Sequence, residues 1–254
     1  MPPSVLVILT LAAVVTATVS AIIGMGGGIL LLATLFCVLP HGEAVPIHAA
    51  VQLASNGTRV LAFVRHVEWA IVGRFAIGAV PGGVAGGLLL ASFGEPGAAE
   101  PYLKTLIGVY ILALTFLPRP SGPTKATRAH EFPLMGFAAG TAALTVGAVG
   151  PLIAPLFARR GFVKERLVAT KAMCQMFLHV VKIPAFLMLG TIDYGRFATL
   201  IVLMAGAAMI GTILGKRILR QVSPATFVRL YRIALTVAGG KVLVFDGLAR
   251  LLVW

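Results

Sequence analysis

The sequence predicts an all-α polytopic membrane protein with about eight transmembrane helices in two homologous four-helix repeats. Three observations predict it. Of 254 residues, 59% are hydrophobic and 11% charged, and the mean hydropathy of +0.99 lies far above that of soluble globular domains. Apolar segments able to cross a hydrocarbon core of ~30 Å, which takes ~20 residues, recur from end to end. A polar stripe, His48, Gln52, Asn56 and Arg59, returns 123 positions later as Lys171, Gln175, His179 and Lys182. Gly24 with Gly147, Gly27 with Gly150, Ala49 with Ala172 and Phe63 with Phe186 align in the same register, as a duplicated unit would leave them.

The first apolar run, 4–39, is too long for one straight crossing and is interrupted by Gly24, Met25, Gly26, Gly27 and Gly28. Such a glycine run costs ~1 kcal/mol per residue relative to alanine and predicts an unwound or kinked turn. The second run, 45–64, carries the first stripe, and the third, 69–92, places Gly78, Gly82 and Gly86 at helical spacing, which allows close packing. The fourth is 102–117. Pro118 to Glu131 is the Pro-rich polar linker between halves, giving repeats 1–118 and 132–254 around an inter-repeat loop 119–131.

The fifth run, 132–157, is interrupted at Gly147, Ala148, Val149, Gly150 and Pro151; the sixth, 167–189, carries the second stripe. The seventh, 196–215, has Gly211 and Gly215, and the eighth is 224–245. Four spans in each half would make the second enter the membrane in the same sense as the first, a parallel repeat about an axis along the membrane normal. The N-terminal run has no preceding Lys or Arg and no clear cleavage site, so it reads as a first mature helix.

A net charge of +13 would suggest a nucleic-acid partner in a soluble chain. Here the basic residues sit mainly in short loops and at helix ends, where they read as topology signals and lipid-headgroup contacts. Cys37 and Cys174 lack metal or redox spacing and read as small core residues. There is no P-loop, no HExxH and no nucleophile triad. The chain is therefore expected to be no enzyme and to hold no cofactor or metal.

At ~100° per residue each stripe falls within roughly 80° of one helix face. Interhelical hydrogen-bonding would account for Gln52 and Asn56. It does not account for Arg59 and Lys182, each costing at least ~2.5 kcal/mol at mid-membrane. Half-helix N-termini at the glycine breaks would add amides and positive partial charge suited to an anion. The candidate substrate-binding residues are Arg59, Lys182, Gln52, Asn56, Gln175, His179, His48 and Lys171, with Gly26, Gly27, Gly28 and Gly150 offering backbone. Ser20, Thr18, Thr141 and Thr145 are expected to bond back to their own helices. None of the eight acidic residues falls at the centre of a span, which leaves His48 and His179 as the candidate proton carriers.

GMGGGILL in the first half, GAVGPLIAPLF followed by a basic turn in the second, and the four-plus-four arrangement make the chain resemble the TauE/SafE family of sulfite and organosulfonate transporters. The first half departs from the family pattern in having Ala33 and Thr34 where the second has Pro155 nearby. The resemblance implies a secondary transporter, working in the export direction, of sulfite or related sulfur-containing oxyanions bound between the repeats. The alternatives are an anion channel or a carrier of another small anion such as a carboxylate. The expected partners are a small anionic substrate, the lipid bilayer and a second copy in a homodimer, with no nucleic acid. The expected location is the inner (plasma) membrane.

Overall fold

The computed structural model describes residues 2–23, 27–92, 100–116, 128–159, 162, 164–218, 233, 236–237 and 239–252. Among these there is no strand. The helices are α1 (Pro3–Ile23), α2 (Gly27–Phe36), α3 (His41–Ala62), α4 (Trp69–Ala91), α5 (Glu100–Phe116), α6 (Glu131–Thr145), α7 (Gly150–Arg159), α8 (Lys164–Met188) and α9 (Ala198–Ile218). A π-helical segment, Val242–Leu248, then runs into a short α10 (Ala249–Leu252). By length and composition, four helical stretches among the described residues suffice to cross a membrane: Pro3–Ala21, Trp69–Ala91, Glu165–Met188 and Ala198–Gly215. The chain is an integral membrane protein.

The long first and fifth runs of the sequence are each two helices. Thr145 ends α6 and Gly150 begins α7; between them Gly147 has a φ of +90°, a conformation favouring glycine. Pro151 then falls in the first turn of α7, where its missing N–H breaks no helical bond. In the first half α1 ends at Ile23 and α2 starts at Gly27, while Gly24, Met25 and Gly26 lie outside the described residues. Both α2 and α7 have 10 residues, about 15 Å of helix, half a bilayer core.

The bounds of these elements follow the sequence register. Gly27 and Gly150, Phe36 and Arg159, and His41 and Lys164 begin or end helices 123 positions apart. At the starts of α4 and α9 the spacing is 129, between Trp69 and Ala198, because α8 ends later than α3 and its connection is longer.

Packing crosses between the halves. Helix α4 lies on α6 and α1 on α9, glycine against backbone. A Cβ on Gly82 would run into the Phe137 carbonyl, and one on Gly86 into Thr141. On the other side Gly211 abuts Val14 and Gly215 abuts Thr18. In both pairs residue numbers rise together, so the helices run parallel.

Helices α3 and α8 run the opposite way to each other. His48 meets His179, Gly57 faces Met176, and beyond the end of α3 the amide of Glu68 donates to Thr170 Oγ1 at 3.1 Å. Equivalent helices of a parallel repeat must point the same way, so the expected axis along the membrane normal does not fit these two. Counting each broken run as one span left an even number of elements per half, and that is where the expectation failed.

Candidate functional site

A small buried cavity lies where α3, α8 and the starts of α2 and α7 converge. Arg59, Lys171, Lys182, His48 and His179 line it, with Gln52 and Gln175 between them. Both stripes therefore face one space, as their helical arcs require. Ser20, Gly28, Gly147 and Gly150 complete its polar wall. Its volume is about 30 Å³, room for about two waters. An oxyanion needs side chains to move aside.

Lys182 is 1% exposed, and its ammonium donates to the Gly147 carbonyl at 2.9 Å. The left-handed turn at Gly147 aims that carbonyl into the cavity instead of along a helix. Arg59 is 9% exposed, so it does not reach out to the interface. Its Nη1 donates to Asn56 Oδ1 at 3.2 Å and its Nη2 to Ser55 Oγ at 3.3 Å. Its Nε is buried with no hydrogen-bond partner among the described residues. Lys171 is buried within electrostatic reach of Arg59.

At the other end of the cavity His48 Nε2 contacts the Gly28 carbonyl at 2.9 Å. The rings of His48 and His179 meet edge-on, centroids 6.0 Å apart. The two glutamines sit at the half-helix starts: a Cβ on Gly28 would lie 3.0 Å from Gln52 Nε2, and one on Gly150 2.8 Å from Gln175 Nε2. Among the described lining residues there is no carboxylate. Buried positive charge is costly, and an anion in the cavity would compensate that of Arg59 and Lys182.

Two expected residues are placed differently. Asn56 stands behind the cavity as a partner of Arg59. Gly27 faces α1, where a Cβ would strike the Thr16 carbonyl and Ser20, so its role is packing. Gly26 lies outside the described residues.

Thr18, Thr141 and Thr145 bond to their own helices at Val14, Phe137 and Thr141 respectively, and Thr141 also reaches the Gly82 carbonyl. Ser20 instead lines the cavity. Asp246, beyond the end of the last apolar run in sequence, is 8% exposed and held by Lys241 at 2.9 and 3.2 Å, with α5 packed on its segment. Burial of that carboxylate had no signal in hydropathy. Among the described residues no group of three or more His, Cys, Asp or Glu could hold a metal ion.

An all-helical membrane protein with a cation-lined cavity between helix breaks is built as a membrane transporter of anions would be. Residues 9–242 match the sulfite exporter TauE/SafE family, and the chain belongs to it. Neither a curated protein nor a solved structure matches the chain.

Proposed function

We propose that the protein is a secondary transporter that exports sulfite or a related small sulfur oxyanion across the plasma membrane, with the anion bound between α3 and α8. The observation that carries this reading is the meeting of Arg59, Lys171 and Lys182 in one buried cavity with no lining carboxylate among the described residues. Family membership supports the substrate class. Lys182 leaves the Gly147 carbonyl to meet the anion; Arg59 meets it from the other end. Gln52, Gln175 and Ser20 donate hydrogen bonds to its oxygens, beside the N-termini of α2 and α7, where unpaired amides favour negative charge.

The antiparallel α3 and α8, equivalent by sequence register, support an inverted repeat with its axis in the membrane plane. Among the described residues each half then contributes five helical stretches, α1 to α5 and α6 to α9 with the continuous segment 242–252, an odd number, with the half-helix re-entrant. Rocking of one half against the other would open the cavity to either side. Export of one negative charge gains ~2.3 kcal/mol per 100 mV from an inside-negative potential, so outward flux needs no coupled ion.

Purified protein in liposomes loaded with sulfite tests the reading. Potential-dependent efflux above that of empty liposomes is expected, and its loss in Lys182→Gln and Arg59→Gln. Efflux at the parental rate in both variants would place the site elsewhere.

A further inference from the structure

Charge complementarity explains the ammonium and guanidinium groups of the cavity but not its two histidines. His48 is 2% exposed, and its Nε2 lies 2.9 Å from the Gly28 carbonyl. A carbonyl can only accept, so the proton of that contact is on Nε2. A neutral imidazole has one N–H, and Nδ1 is then a lone pair. That Nδ1 is buried with no hydrogen-bond partner among the described residues. His179 Nδ1, on the ring meeting His48 edge-on, is likewise buried and without one.

We infer that the site selects oxyanions that carry a hydrogen of their own, O–H or N–H, over aprotic anions of the same charge and shape. The inference rests on the anion-binding reading above and deepens it. The groups facing His48 from α8 are His179 and Lys182, with Arg59 and Lys171 further along the same cavity. None of these described neighbours except a histidine can accept a hydrogen bond from a ligand. The lysines and the arginine hold the negative oxygens, and His48 Nδ1 takes the hydrogen. Hydrogensulfite fits this double requirement; sulfite with both protons removed and sulfate do not. The amide nitrogens of Gln52 and Gln175 are the side-chain atoms nearest Gly28 and Gly150. A doubly protonated His48 would donate from both nitrogens and reverse the preference.

Sulfamate and methanesulfonate separate the two cases, since they are monoanions of one shape differing in an amino group against a methyl. Binding of each to the purified full chain is measured by calorimetry. Sulfamate is expected to bind about tenfold or more tightly, since the analogue without the hydrogen leaves a buried acceptor unmatched. In His48→Phe the ratio should fall toward one, sulfamate losing more affinity than methanesulfonate. Equal binding of both anions by the parent overturns the inference and leaves the anion site standing. Binding of neither, and of no sulfite, overturns the anion site and the inference with it. A parental ratio that persists in a folded His48→Phe variant overturns the assignment to His48.

Discussion

Lys182 donates to the carbonyl of Gly147 at 2.9 Å across 35 residues of chain, joining the last third of α8 to the break between α6 and α7. One ammonium thus occupies the carbonyl dipole at the turn and faces the cavity. An arriving anion competes with that carbonyl, so binding is coupled to release of the turn.

Replacing Lys182 with Met should leave the fold as stable as the parent or more so, because an uncompensated buried ammonium is replaced by an apolar chain of similar length. Sulfite affinity should fall at least about tenfold, the order expected for a charged hydrogen bond. Thermal unfolding with and without sulfite measures both. A normal sulfite-induced shift in the variant would contradict the assignment.

Gly147→Ala should destabilise by about 1–3 kcal/mol, since φ of +90° suits glycine. Its Cβ would also lie 2.7 Å from Leu32 Cδ2 and 3.3 Å from both Val45 methyls. Gly73→Ala, where a Cβ meets nothing within 4 Å, is the control and should be neutral or stabilising. Comparable unfolding temperatures for the two variants would refute the strain argument.

Gly27→Leu and Gly150→Leu should fail in different ways despite their equivalence in sequence. Gly27 is pressed on α1 backbone, so leucine there should lower yield and unfolding temperature. At Gly150 the added atoms first meet the Gln175 amide, a side chain that can swing into the cavity. That variant should fold and lose sulfite binding. Matched losses of folding in both would show that Gly150 packs as Gly27 does.

This contrast marks what the chain reveals before folding. Periodicity alone put His48, Gln52, Arg59 and their counterparts on single faces, and the register of 123 anticipated the starts of α2 with α7 and of α3 with α8. Hydropathy windows could not separate α1 from α2, because both are apolar and a turn of glycine scarcely lowers the average. Helix direction was lost with that separation. Nor could the sequence show which way a glycine looks: Gly27 and Gly28 are adjacent, yet one meets α1 and the other Gln52. Asp246 escaped because its burial depends on α5, far away in the chain.

Tyr194, in the connection between α8 and α9, gives a pH dependence. Burial pushes its hydroxyl up to about 12, against ~10 in an unfolded chain. The folded state keeps the proton longer, so this contribution to stability is complete below pH ~10 and is lost as pH rises toward about 12. The Tyr194 hydroxyl has no hydrogen-bond partner among the described residues, so Tyr194→Phe should be neutral or stabilising at neutral pH. It should also flatten the alkaline fall in unfolding temperature. An unchanged alkaline profile in the variant would remove Tyr194 as the cause.

The crossed pairing of α4 with α6 and α1 with α9 sets a problem of timing during synthesis. When the ribosome has delivered only the first 118 residues, Gly78, Gly82 and Gly86 have no helix to receive them, and the ridge of α1 that will meet Gly211 and Gly215 faces lipid. Neither half can be finished before the other arrives. A nascent chain stalled in the connecting segment should therefore be held by the insertion machinery or degraded, and a message cut there should give no stable fragment. Two co-expressed fragments divided at that segment should be able to recover the fold only by finding each other in the bilayer.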